Sequence, residues 1–148
     1  ARDRASVFDI PRLARRVAGA VLWARAEPEM RGLPLGLFGA STGAAAALVA
    51  AAELPEEGTA VVARGGRPDL AGPALARVRA PVLLVGSGAD HGVLALNRNA
   101  AEALAGGVEM RVVAGAGHLF EEPGALDAVI RHAAGWFAAH LRGAGPGP

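Results

Sequence analysis

Gly36-Leu37-Phe38-Gly39-Ala40-Ser41-Thr42-Gly43-Ala44-Ala45-Ala46-Ala47 is the stretch that decides how this chain folds. On its left, Leu33-Pro34-Leu35-Gly36-Leu37-Phe38 is a short apolar run bounded by glycine, which predicts a buried strand over Leu33 to Phe38. On its right, Gly43 to Glu53 is almost pure alanine, the residue with the highest helix propensity. A strand that passes through a tight turn of small residues directly into a helix is half of a strand–helix–strand unit.

The same alternation continues outward. Thr59 to Ala63 reads as a strand that ends in the turn signal Gly65-Gly66. Asp69 to Val78 predicts a helix with Asp69 in its first turn, and Pro81 to Gly86 is the clearest strand. Val93 to Leu104 reads as helix and Val108 to Val113 as strand. Gly124 to Leu141 predicts a long closing helix with Leu126, Val129, Ile130, Ala133 and Phe137 on one face. Ahead of the opening stretch, apolar residues recur at helical spacing from Val7 to Trp23, with Asp9-Ile10-Pro11 suited to a helix start. Strands with little polar alternation, joined by helices, call for a mostly parallel sheet flanked by helices on both faces. The expected fold class is therefore α/β, with about four strands in one domain over residues 1–142 and a flexible tail over 143–148.

Composition narrows the chemistry. Of 148 residues, 36 are Ala and 21 are Gly, with no Cys, Lys or Tyr, and the formal charge is +1. Without Cys there is no disulfide, thiolate metal site or thiol nucleophile. Without Lys there is no Schiff base, Ser-Lys dyad or P-loop. The arginines are scattered and few aromatics are present to stack on bases, so no nucleic-acid partner is expected. The longest apolar run, Ala44 to Ala52, is too short to span a bilayer, and the Arg-rich start is no signal peptide. The expectation is a cytoplasmic protein with no membrane partner, no metal and no cofactor.

Gly39-Ala40-Ser41-Thr42-Gly43 fits G-x-S-x-G. In a nucleophile elbow the serine sits on a sharp strand-to-helix turn, and small residues two positions to either side, here Gly39 and Gly43, let strand and helix approach. Asp90 follows the strand at Pro81 to Gly86, and His118 follows the strand at Val108 to Val113. In a parallel sheet these three residues fall along one edge, in the chain order Ser, Asp, His of a hydrolase triad. Ser41 is the candidate nucleophile, His118 the base and Asp90 the orienting acid, with the backbone N–H of Thr42 as an oxyanion donor. Rival acids are Asp69, Glu121 and Glu122, the last two read chiefly as first-turn acids of the closing helix. His91, His132 and His140 are the other histidines. Arg64 and Arg67, leaving a strand on the same edge, are candidates for binding a substrate carboxylate.

Four blocks carry a family resemblance: 36–47, quoted above; Ala-Arg-Gly-Gly-Arg-Pro-Asp-Leu (63–70); Pro-Val-Leu-Leu-Val-Gly-Ser-Gly-Ala-Asp (81–90); and Gly-Ala-Gly-His-Leu-Phe-Glu-Glu-Pro-Gly (115–124). Together they resemble the dienelactone hydrolase-like branch of the α/β hydrolases, some members of which are joined to a phosphoribosyltransferase domain. The resemblance implies a serine hydrolase of the esterase or thioesterase kind, cleaving a small carboxylic ester or lactone through an acyl-enzyme. It departs from the family in two respects. Dienelactone hydrolases proper use a Cys nucleophile where Ser41 stands, and the family's sheet has strands before the elbow strand. Their absence leaves one side of the elbow strand unpaired, so the expectation is that N-terminal strands lie outside this sequence or that another copy completes the sheet. Two rivals remain at this stage. One is a dinucleotide-binding module of the short-chain dehydrogenase kind, which lacks its catalytic Tyr and Lys here. The other is a catalytically silent hydrolase fold acting as an interaction module.

Overall fold

Alternate residues of the central strands divide between two cores. Val61, Ala63, Val82 and Leu84 join one apolar cluster, and Ala60, Val62, Leu83 and Val85 join the other. All eight are at most 2% exposed, and each buried Val or Leu contributes about 1.5–3 kcal/mol relative to exposure. Strands buried on both faces need helices above and below, and the computed structural model, which describes residues 9–57, 59–104 and 106–141, has that architecture.

The elements run α1 (Ile10–Ala26), β1 (Gly36–Ala40), α2 (Thr42–Glu53), a 3-10 turn (Pro55–Glu57), β2 (Ala60–Arg64), a 3-10 stretch (Pro68–Arg77), β3 (Val82–Ser87), α3 (His91–Ala103), β4 (Val108–Val113) and α4 (Ala125–His140). The sheet has the order β1-β2-β3-β4, and every pair is parallel. Residues of α2, the 3-10 stretch and α3 build the first cluster, with α1 packed on α2; α4 covers the second. The α/β class expected from the sequence is the class observed. Among the described residues β1 pairs with β2 alone, so its other edge carries no strand, and Phe38 beside it is 51% exposed.

Local chemistry sets the element ends. Asp9 caps α1 by accepting from the Arg12 N–H at 3.1 Å, with Pro11 in the first turn. At the other end Arg25 ties the chain down. Its Nε donates to Glu57 Oε2 at 2.9 Å, Nη1 to the Leu33 carbonyl at 2.6 Å and Nη2 to the Glu57 carbonyl at 2.7 Å. Gly36 leaves the space that the Phe137 ring occupies, for a Cβ there would lie 2.5 Å from it.

Three expectations are corrected. The first strand begins at Gly36 and ends at Ala40, not Leu33 to Phe38, because pairing with β2 draws Gly39 and Ala40 into the ladder opposite Ala63 and Arg64. The segment expected to be a helix at Asp69 to Val78 is a 3-10 stretch kinked at Gly72 (φ 57°, ψ −132°), since Pro73 disfavours helical geometry in the residue before it and brings no N–H. On α4 the buried stripe is Ala125, Val129, Ala133 and Trp136; Leu126 and Ile130 are 55% and 56% exposed. Phe137 is half-buried against the same cluster, and the Trp136 Nε1–H reaches the Pro81 carbonyl at 3.4 Å. Val7, at the start of the first helical pattern, and the tail 143–148 lie outside the described residues.

Candidate active site

Ser41 stands between the last residue of β1 and the first of α2, with φ 54° and ψ −124°. Left-handed geometry of this kind costs a non-glycine residue on the order of 1–3 kcal/mol and persists only where the surroundings impose it. Here they do. The Ser41 N–H donates to the Arg64 carbonyl at 3.4 Å, and the Ser41 carbonyl accepts from the N–H groups of Ala44 (3.1 Å) and Arg67 (3.2 Å). A Cβ on Gly39 would run into the Gly43 carbonyl group, so that glycine is what brings strand and helix together. Gly43 plays no such part: a Cβ there meets nothing within 4 Å, which corrects the symmetric role expected of the two.

Beyond the strand ends the loops at the C-terminal edge of the sheet are laced to one another. The Gly65 N–H donates to the Val85 carbonyl (2.8 Å), Gly88 to Val113 (2.9 Å) and Ala89 to Ala116 (2.9 Å). This lacing carries the His118 turn toward the elbow, and Ser41 Oγ lies 2.9 Å from His118 Nε2. Two features shape that turn. The Glu122 carboxylate accepts from the Gly117 N–H at 2.9 Å, and Phe120, 3% exposed with φ 54°, folds its ring under the loop against Gly65. Glu122 therefore serves the histidine turn. The first-turn acid of α4 is Asp127.

Asp90 sits on the neighbouring loop at the head of α3, where Oδ1 accepts from the Val93 N–H at 3.3 Å. No hydrogen bond joins it to His118 among the described residues, and Oδ2 is unspent. The Thr42 N–H, at the first position of α2, is one of the donors a helix start leaves without an internal partner. Of the two arginines, Arg67 is engaged: Nε and Nη2 both bond Asp69 at 3.0 Å, and that hydrogen bonding raises its already high pKa. Arg67 thus has no open fork for a substrate carboxylate, and Asp69 is no longer a rival orienting acid. Arg64 lies over the Phe120 ring, 5.1 Å from its centroid, and its guanidinium makes no hydrogen bond among the described residues.

The other histidines stand apart. His91 opens α3, His132 lines a cleft of about 300 Å³ with Glu109, Arg111, Arg131 and Trp136, and the His140 ring lies 4.0 Å from that of Trp136. Among the described residues no three His, Asp or Glu gather as metal ligands, and no helix is long and apolar enough to cross a membrane. Two residues at the site went unread in the sequence. Phe120 left no signal before its backbone geometry was known. Asn97 did leave one: it interrupts the spacing Leu94, Ala100, Leu104 with an amide, and it is wholly buried.

Residues 5–138 match the model of the dienelactone hydrolase family. Two proteins of Mycobacterium tuberculosis, from strains CDC 1551 / Oshkosh and ATCC 25618 / H37Rv and both named as phosphoribosyl transferases, are each 52% identical over 145 residues. The match takes in 98% of this chain and 33% of theirs, so the chain spans about a third of the length of these curated relatives. Among solved structures, a dienelactone hydrolase from Anabaena variabilis superposes with a TM-score of 0.89 at 52% identity, over 91% of this chain and 62% of that one. A predicted CIB-like hydrolase from Thermoplasma acidophilum shares the fold, with a TM-score of 0.64 at 20% identity over 84% of this chain and 57% of that one.

Proposed function

This chain belongs to the dienelactone hydrolase family, and we propose that it supplies the nucleophile and base of a serine hydrolase acting on small carboxylic esters or lactones through an acyl-enzyme. The observation that supports the reading above all others is the 2.9 Å approach of Ser41 Oγ to His118 Nε2 on a backbone held at positive φ. Ser41 Oγ attacks the carbonyl carbon while His118 Nε2 takes its proton; the imidazolium then protonates the leaving oxygen, and water repeats the sequence to release the acid. Asp90, through the unspent Oδ2, orients the imidazole and stabilises its cation. The Thr42 N–H supplies one oxyanion donor. The chemistry calls for no cofactor.

Arg64 is the proposed contact for an anionic group on the substrate, since its guanidinium is held over Phe120 with its N–H edges unspent. The unpaired edge of β1 is where a further strand, from a longer polypeptide or a second copy, would complete the sheet and bring the second oxyanion donor. The transferase named in the Mycobacterium relatives refers to proteins three times the length of the match, and the hydrolase reading concerns the matched third.

A fluorophosphonate probe tests the reading. The full-length protein is labelled at Ser41, and Ser41→Ala is not; equal labelling of both, or none of the wild type, refutes the assignment and leaves a silent hydrolase fold.

A further inference from the structure

Asn97 lies in the middle of α3, on its buried stripe, with no exposed surface. Its Nδ2 donates to the Val93 carbonyl at 2.8 Å and to the Gly66 carbonyl at 3.2 Å, while Oδ1, equally buried, has no partner among the described residues. An unpaired amide oxygen in an apolar core is a standing cost that a leucine of similar volume would not incur. Sequences break this rule chiefly where a site gains from it.

The gain lies in what the Gly66 carbonyl is attached to. The Gly66 C=O and the Arg67 N–H belong to one planar peptide unit, and that N–H donates to the Ser41 carbonyl at 3.2 Å. The Ser41 C=O and the Thr42 N–H form the next such unit. A single line of hydrogen bonds therefore runs from the Asn97 amide through the Gly66–Arg67 plane to the Ser41–Thr42 plane, whose far end is the Thr42 N–H. The Ala44 N–H also reaches the Ser41 carbonyl, but as an ordinary feature of a helix start; the Arg67 bond comes from a separate loop. Gly66 is packed closely against the elbow: a Cβ built on it would run into the Ala44 methyl and lie 3.2 Å from the Ser41 carbonyl oxygen.

We infer that Asn97 is a positioning residue: through the Gly66–Arg67 and Ser41–Thr42 peptide planes it sets the aim of the Thr42 N–H, the proposed oxyanion donor. This rests on the hydrolase reading of Ser41. Mis-aiming a donor leaves substrate binding and the base untouched and weakens transition-state stabilisation. Removing one such donor outright costs about 10²–10³ in kcat, so a mis-aimed donor costs about tenfold or more.

The test uses the full-length protein carrying Asn97→Leu, with Ala100→Gly as a control that weakens the same helix without touching the relay. Asn97→Ser, which stays polar but falls short of Gly66, takes its place if the leucine variant does not fold. We expect ester kcat and fluorophosphonate labelling to fall together by about tenfold or more, with KM within about twofold and the acid limb of the pH profile unmoved. The amide resonances of Arg67 and Thr42 shift in the Asn97 variant and hold still in Ala100→Gly. Unchanged kcat, an equal loss in the control, or unmoved Arg67 and Thr42 resonances overturns the inference. If the wild type is not labelled at all, the hydrolase reading fails, and the resonances still decide whether the relay exists.

Discussion

The glycines of the Ser41 turn allow the reasoning about the elbow to be tested at two positions. A Cβ placed on Gly39 would lie 2.6 Å from the Gly43 carbonyl carbon and 2.8 Å from the Ala44 nitrogen. Both are backbone atoms at the start of α2, and neither can swing aside as the end of a side chain would. Relief requires the helix to move off the strand, and overpacking of that kind costs about 1–3 kcal/mol, occasionally more. At Gly43, two residues into the helix, nothing lies within 4 Å of the new atom and φ is unremarkable. Gly→Ala there narrows the unfolded ensemble and gains about 0.4–1 kcal/mol. For a chain of this length one kcal/mol shifts Tm by roughly 2–4 °C. Thermal unfolding followed by circular dichroism should show Gly39→Ala lowered by about 2–12 °C and Gly43→Ala raised by about 1–4 °C. Fluorophosphonate labelling should be largely lost in the first and kept in the second. A tolerated Gly39→Ala beside a damaging Gly43→Ala would refute the claim that the close approach is built at Gly39.

Three further outcomes are expected. Asp90→Asn keeps the cap on α3, asparagine capping as well as aspartate, so stability should stay within about 0.5 kcal/mol while ester kcat falls by about 10²-fold or more; retained kcat would remove Asp90 from the mechanism. Ser41→Gly relieves the positive φ and should match or exceed wild-type Tm while abolishing labelling, and a fall of several degrees would argue that the turn is unstrained. Arg25→Ala strips four hydrogen bonds from the α1 exit and leaves the Glu57 carboxylate without its arginine, so urea unfolding should show a loss of about 1–3 kcal/mol, and no change in midpoint would mean the network is idle.

Much of this protein was legible in residue order. β4 has the limits expected of it, and the order of strands and helices follows from short apolar runs alternating with alanine-rich or amphipathic ones. The meeting of Ser41 with His118 was also within reach, because a parallel sheet sends every strand's C-terminal end to one edge. The misreadings share a cause. Leu126 and Ile130 look like core because they are apolar, and Gly43 looks like Gly39 because it is glycine. Hydrophobicity and residue type are properties of the chain, whereas exposure and clearance depend on what packs opposite.

The sequence by itself determined the parallel α/β architecture and the strand-to-helix turn at Ser41, and its lack of Cys, Lys and Tyr narrowed the chemistry open to it, because periodicity and composition are local. Tertiary structure alone decided that Arg67 is spent on Asp69, that Glu122 braces the His118 turn and that Asn97 reaches Gly66. Each of these depends on where a side chain's few hydrogen bonds are used, and only the folded chain brings the partners within reach.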